Sequence, residues 1–390
     1  MGIASPSERI RSRSGPEGEK DLRSLAHLFA VAVIVAAGTA EARTFQVDST
    51  LDAVDANTGD GVCATATGTC TLRAAVMESN NYDGTDMIRL PAGTYTLTIP
   101  PAEIDASYAG ALNVDGRVSI RGDGPDATII DANGIDQAFK VGRSSGLGSF
   151  DTYLQLRGLT IRNGVAANTL GGAIVNFARR LRLLDVTVEN NRALLGGAID
   201  SNGGRVDVVR SRIVDNEGTA CCGGIRALGN TRVRLVRSEV SGNVSGGAGG
   251  GIFAMSGVDL LVKKTEIAGN EAGTRGGGVV FTGEVGRIFK SAVSGNRSVE
   301  GGGGVIKEGG GPLLIKKAEI TGNVADTGGT GFYIGGGIIS GGGDFPVLIA
   351  SVVTGNTVGP GTSPDCAGYV VLQGGTVIGD PSGCSLLGSN

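Results

Sequence analysis

Apolar and polar positions alternate in short bursts along most of this chain, and the bursts recur at a near-constant interval. In Val236-Arg237-Ser238-Glu239-Val240 the first, third and fifth side chains face one way and the other two face the opposite way, which marks a strand buried on one side. Ser241-Gly242-Asn243 then reads as a turn, and Gly250-Gly251-Ile252-Phe253 opens another strand. The central Ile or Val of each burst stands at Ile161, Val188, Ile213, Val240, Ile267, Val293, Ile320 and Val353, in steps of 27, 25, 27, 27, 26, 27 and 33 residues. A glycine column (Gly172, Gly197, Gly224, Gly251, Gly278, Gly304, Gly337) and an asparagine column (Asn191, Asn216, Asn243, Asn270, Asn296, Asn323, Asn356) keep step with it. No repeat has helical periodicity, so helical solenoids and leucine-rich repeats do not fit.

Three columns in register predict an all-β fold, a right-handed single-stranded parallel β-helix. It is a solenoid of about 27 residues per coil, each coil holding about three short strands and packing on its neighbours. Equivalent positions then stack about 4.8 Å apart. Asn216, Asn243, Asn270, Asn296 and Asn323 are expected to point inward as an amide ladder. The glycosylation sequons at Asn243 and Asn296 should therefore be inward and unmodified. Arg210, Arg237, Lys264, Lys290 and Lys317 form an outward column, and Glu239, Glu266 and Glu319 lie two positions on. The expectation is a cross-neutralised surface ladder rather than a polyanion-binding stripe. The step of 33 implies an insertion around Gly328 to Tyr333 that leaves the stack as a surface loop.

The ends look different. Thr71–Asn80 (TLRAAVMESN) is the one convincing amphipathic helix, with Leu72, Ala75 and Val76 on one face. Early coils follow at Thr94–Ile99, Arg117–Gly122 and Ala127–Ala132. The expected organisation is an export signal over 1–42, a cap over 43–100, the β-helix over 101–360 and a closing tail over 361–390. The signal is read from five basic residues before an apolar run from Leu25 to Ala37, then Ala40-Glu41-Ala42 as a cleavage pattern. The mature chain should hold no membrane span.

Composition sharpens this. Gly makes up 70 of 390 residues without a Gly-X-Y period, and 40% of residues are hydrophobic, which excludes both collagen and a disordered linker. Net charge is -4, no region is expected to carry the strongly basic footprint of a nucleic-acid binder, and an aromatic share of 4% offers few stacking platforms. Six cysteines in an exported chain suggest local disulfides, Cys63–Cys70 and Cys366–Cys384. Adjacent Cys221 and Cys222 are expected to be a pair of buried thiols.

The string Asp55 to Cys63 (DANTGDGVC), followed by Cys70-Thr71-Leu72-Arg73-Ala74-Ala75-Val76, resembles the bacterial CSLREA domain, with Thr71 in place of Ser and Ala74 in place of Glu. The recurrent GGAI and GN phrases resemble the repeats of chlamydial polymorphic outer-membrane proteins and other pectin-lyase-like β-helices. Asp365-Cys366-Ala367-Gly368 through Cys384 resembles the start of a choice-of-anchor Q region. The resemblance implies export, a surface or extracellular home and no established activity.

Candidate chemistry is sparse. The single histidine, His27, lies in the expected signal, which removes imidazole from the mature chain. Hydrolases of the polygalacturonase type, which resemble this fold, need it. A pectate-lyase-type site needs several carboxylates on one Ca²⁺, and Asp185, Asp207, Asp215 and Asp259 share no column. One loop suits Ca²⁺ by its clustered oxygens: Asp52, Asp55, Asn57 and Asp60. An Asx-turn-rich loop closed by Cys63–Cys70 is the competing reading, so the expected cofactor is none, or this Ca²⁺. The functional expectation is an exported scaffold, cell-surface or secreted and outer-membrane association included, that binds a glycan or a host or cell-surface protein without catalysis. A Ca²⁺-dependent polysaccharide lyase and a purely structural spacer are the alternatives, and no nucleic-acid partner is expected.

Overall fold

The computed structural model describes residues 41–102, 108–142, 151–325, 328, 335–359 and 364–388. The expected signal segment up to position 40 and most of the insertion, Phe332 and Tyr333 included, lie outside the described residues. The described residues form a parallel β-solenoid with one helix.

One coil shows how the repeat folds. Ile252–Ala254 forms the first face, Asp259–Lys263 and Glu266–Ala268 form the two halves of the second, and Glu271–Ala272 forms the third. Each strand pairs in parallel with its equivalent one coil on: Ile252 with Val279, Asp259 with Val285, Glu266 with Ala292 and Glu271 with Arg297. The first and second faces belong to a 31-stranded sheet and the third is a separate eight-stranded sheet. Ile161, Val188, Ile213, Val240, Ile267, Val293, Ile320 and Val353 stack in the core, all 0% exposed. Full burial of such a side chain is worth about 1.5–3 kcal/mol, and here the neighbouring coil supplies the cover.

The asparagine column is a continuous chain of hydrogen bonds. Each Nδ2 donates to the Oδ1 of the next asparagine: Asn216 to Asn243 at 2.9 Å, Asn243 to Asn270 at 2.9 Å, Asn270 to Asn296 at 2.9 Å and Asn296 to Asn323 at 2.8 Å. That same Oδ1 also accepts the backbone N–H of the preceding asparagine, 3.0–3.1 Å away. Asn243 and Asn296 are 0% exposed, so their side chains point inward as expected and are out of reach in the folded chain. The ladder ends on a carboxylate: Asp365 Oδ1 accepts Asn356 Nδ2 and N, and its Oδ2 accepts the Asp380 N–H.

The ladder also accounts for the glycines. A Cβ on Gly251 would lie 2.6 Å from the Gly278 carbonyl oxygen and 3.1 Å from Asn270 Nδ2. Side chains there would collide with both the next coil and the amide stack, so the two columns move together along the sequence.

The helix spans Leu72–Ser79, with Thr71 as N-cap accepting the Ala74 N–H, and all eight residues are buried. Arg73, 1% exposed, pairs with Asp52 at 2.6 Å and donates to the Gly110 carbonyl. Glu78, 0% exposed, accepts the Gly59 and Gly61 N–H groups. Polar anchors thus tie the helix and the 50s loop to the first coils, covering an end that would otherwise expose strand edges.

Cys63 is bonded to Cys70 and Cys366 to Cys384, with Cα–Cα distances of 5.0 and 5.5 Å. Cys221 and Cys222 correct the expectation of free thiols: they are bonded to each other, across a Cα–Cα distance of 3.8 Å. Their backbone makes this possible, because Cys222 adopts φ 67°, turning its side chain toward its neighbour's. Among the described residues no helix is long and apolar enough to cross a membrane.

Candidate ligand-binding face

The first half of the second face turns alternate side chains to solvent, and the coil register stacks them in columns. One column contains Arg117, Tyr153, Arg180, Arg205, Arg232 and Asp259; the next contains Gln155, Arg182, Asp207, Arg234 and, two coils beyond, Arg287. A third contains Arg89, Arg121 and Arg157 at one end and Lys263 and Lys316 toward the other. At the bend that closes this half-face lie Arg210, Arg237, Lys264, Lys290 and Lys317, all exposed. In these four columns the carboxylates among the described residues are Asp185, Asp207 and Asp259. A chain with a net charge of -4 thus concentrates cations on one sheet face, which corrects the expectation that no region is strongly basic: the basic residues are a coil apart in sequence and meet only when coils stack.

Asp207 organises the centre. It is 1% exposed, yet its oxygens meet three guanidiniums: Arg205 Nε at 2.8 Å, Arg180 Nη2 at 3.0 Å and Arg234 Nη1 at 3.9 Å. Arg182 precedes Asp207 in the stack and donates to Gln155 Oε1 at 3.3 Å. One carboxylate therefore positions a cluster with excess positive charge, and the half-buried guanidiniums keep N–H groups free to donate outward. Beside it, Arg205, Arg232, Asn230, Thr231, Asp259 and Glu284 line a depression of about 400 Å³.

The bend column is conformationally unusual. Arg210, Arg237, Lys264, Lys290 and Lys317 have φ of 48°, 53°, 52°, 50° and 52°, the left-handed region that costs an ordinary residue about 1–2 kcal/mol. Gly158 takes φ 62° at the equivalent position, so glycine fits the bend. The neutralisation expected for this column is realised only at its start. Arg210 pairs with Asp185 at 2.7 Å, and that hydrogen bond holds the Asp185 carboxyl below the usual carboxylate range. Glu239 instead pairs with Arg212 at 2.9 Å. Burial pushes the Glu239 carboxyl up, but bonds from Ser241 and Arg212 outweigh it, leaving its pKa lowered. Arg237, Lys264, Lys290 and Lys317 pair with no carboxylate among the described residues, because Glu266 and Glu319 lie beyond the bend on the second half-face.

In the loop suggested for Ca²⁺ each carboxylate has local partners. Asp52 binds Arg73 and accepts the Thr98 and Ile99 N–H groups; Asp55 accepts those of Asn57 and Ala64; Asp60 accepts that of Val62. Asn57 contributes turn geometry there. Each carboxylate serves a separate local turn or ion pair, and among the described residues no three His, Cys, Asp or Glu side chains group to hold a metal.

The sequence reading missed Arg180, Arg182, Arg205 and Arg234. Their signal is present in the alternation of Arg180-Leu181-Arg182-Leu183, Arg205-Val206-Asp207-Val208 and Arg232-Val233-Arg234-Leu235, where every second residue faces out.

No protein-family model matches the chain, and no curated protein matches it. Among solved structures it is similar to the A-module of the mannuronan C-5 epimerase AlgE6 of Azotobacter vinelandii, at 15% identity over 87% of this chain and 100% of that one, with a TM-score of 0.37. It is also similar to the pectate lyase Pel9A, at 13% identity over 89% of this chain and 79% of that one, with a TM-score of 0.37. At these values neither likeness supports a correspondence between residues, and the reading of the face rests on this chain alone.

Proposed function

We propose that the protein is an exported β-solenoid scaffold whose basic sheet face binds an anionic polysaccharide without cleaving it. One observation carries the reading: cations occupy consecutive rungs of the bend, in a backbone conformation that glycine would adopt at lower cost, beside strands that add further arginines. Strain retained at a surface position points to the side chain's use. A linear polyuronate or sulfated glycan carries charges at regular intervals and can lie along stacked cations, each rung adding a weak contact. The few carboxylates of the face are engaged by arginines, which suits holding an anion more than acid–base chemistry on it.

A protein partner fits this surface less well, because interface centres are depleted of charged residues. Export rests on the disulfides and the N-terminal pattern. A CSLREA-like cap over 43–100, coils over 101–360 and a tail over 361–390 complete the arrangement, and surface attachment through the tail is the extension of this reading.

The test is affinity electrophoresis and calorimetry with polygalacturonate, alginate and heparin, with dextran as the uncharged control and single-stranded DNA as the competing polyanion. Arg182→Glu with Arg234→Glu should weaken glycan binding by more than about tenfold, and added salt should weaken the wild type as a many-charge contact requires. Binding to none of the three anionic glycans, or equal binding by the double variant, sinks the proposal. Preference for the DNA over every glycan reassigns the partner, and sugar products with a new double bond would establish a lyase instead.

A further inference from the structure

One inward column of the second face changes character at its N-terminal end. Val118, Leu154, Leu181, Val206 and Val233 stack there coil upon coil, all 0% exposed. The rung before Val118 is Asp86, on the strand Thr85–Leu90, and it too is 0% exposed. Its Oδ1 accepts the Arg43 backbone N–H at 2.7 Å. Its Oδ2 is buried and has no hydrogen-bond partner among the described residues. Burial pushes the carboxyl above its usual range against the Arg43 N–H and the Arg43 charge, and Glu78 adds to the rise. The Arg43 guanidinium is engaged elsewhere, over the Tyr82 ring at 3.5 Å from its centroid. A buried carboxylate with one bare oxygen is costly, and a cation with several donors would complete it.

The nitrogen beside Asp86 belongs to the residue that follows the Ala40-Glu41-Ala42 cleavage pattern. Glu41 and Ala42 are exposed, whereas Phe45 and Val47 enter the core. Thr44–Gln46 pairs in parallel with Met87–Arg89, and the Met87 N–H donates to the Arg43 carbonyl at 2.8 Å. The strand that Arg43 opens therefore fixes its nitrogen against the carboxylate.

We infer that Asp86 is the docking site for a new N-terminus, made by cutting the Ala42–Arg43 bond. Water adds across that bond. Its oxygen ends on the Ala42 carboxylate and both its hydrogens on the Arg43 nitrogen, which is an α-ammonium below about pH 8. A neutral amide with one N–H becomes a cation with three, at an atom already 2.7 Å from Oδ1. Rotation about N–Cα turns a second donor to Oδ2, and the buried charge gains a buried partner. The inference rests on the export reading for the place of the cut, and gives that cut a consequence: the first strand locks onto the first coil only in the processed chain.

Ala40–Asn390 is a compact unit of its own, so chains beginning at Arg43 or at Glu41 can be released from a cleavable fusion and compared by hydrogen exchange. Exchange of Thr44–Gln46 and Thr85–Leu90 should be about tenfold slower in the chain that begins at Arg43. Asp86→Asn should erase that advantage, yet change exchange by less than about twofold in the chain that begins at Glu41. Arg43→Gln, which keeps the ammonium and removes the guanidinium, should preserve the advantage. The comparison of the two unsubstituted chains decides the matter should Asp86→Asn fold poorly. Separately, the intact mass of the protein recovered after export from a bacterial cell should place its first residue at Arg43. A different first residue sinks the export reading at this bond and the inference with it. Arg43 as first residue, with equal exchange in the two chains or an equal effect of Asp86→Asn in both, leaves the export reading standing and overturns the docking.

Discussion

Replacing Asn270 by alanine tests the stacked-amide account most directly. Asn270 is 0% exposed. Its Nδ2 donates to the Val240 carbonyl and to Asn296 Oδ1, each at 2.9 Å, and its Oδ1 accepts Asn243 N at 3.1 Å and Asn243 Nδ2 at 2.9 Å. Alanine deletes all four. Asn243 Nδ2 keeps the Ile213 carbonyl and Asn296 Oδ1 keeps the Asn270 N–H, but the buried Asn243 N–H is left with no acceptor. An orphaned buried N–H costs about 1–3 kcal/mol and each lost bond about 0.5–1.5 kcal/mol net, so the expected loss is about 3–5 kcal/mol. Urea unfolding followed by circular dichroism measures it, with Glu271→Ala, an exposed neighbour, as the control expected within about 0.5 kcal/mol of wild type. Asn270→Asp separates the roles of donor and acceptor. It keeps the acceptors for Asn243 but buries a carboxylate facing the Val240 carbonyl, so its folded pKa should be raised. The deficit should then grow as pH rises above the unfolded aspartate value of about 4. A loss below about 1 kcal/mol for Asn270→Ala would refute the ladder as a source of stability.

Two further outcomes can be measured. Lys264→Gly should relieve the left-handed strain yet loosen the unfolded chain, raising stability by less than about 1 kcal/mol while weakening polyanion binding; a variant that loses stability and keeps full binding contradicts the functional reading of the bend. Stability should also fall on the acid side. Burial raises the Asp131 carboxyl, but bonds from Asn163, the Asn133 N–H and Arg162 outweigh it and leave the pKa lowered. Its contribution is therefore present above about pH 4 and lost as pH falls through the depressed folded value. Burial raises Asp200 despite Arg226, which acts in the opposite direction, so Asp131→Asn should flatten the acid limb of a melting-temperature profile; an unchanged limb rules out Asp131 as its source.

The coil was legible because its determinants are local and repeated. Stacking forces each column to hold one residue type, so Ile or Val, Gly and Asn announce the register. Burial of the ladder asparagines followed from the same logic. Charge was harder. The bend column was visible, but its pairing depends on a turn between Lys264 and Glu266 that sends their side chains to different half-faces, and counting two positions onward cannot reveal this. The Asp207 cluster joins residues about a coil apart in three successive strands, so it exists only once coils are superposed. Asp52 and Asp55 gave clustered oxygens in sequence, yet folding sends one to a helix arginine and the other to its own turn. Cys221 and Cys222 were misread because the left-handed backbone at Cys222 carries no sequence mark beyond the adjacent pair.

The amide chain has a direction, every link pointing toward the Asp365 carboxylate that receives the last pair of donors. Because each link is interchangeable with the next, excising one whole winding, from one asparagine to the residue before its successor, rejoins donor to acceptor without touching either terminus. Length is therefore an adjustable property of this molecule. Each winding removed shortens the row of cations by one rung, about 4.8 Å, so a graded family of shortened proteins would act as rulers for the shortest polymer they can retain.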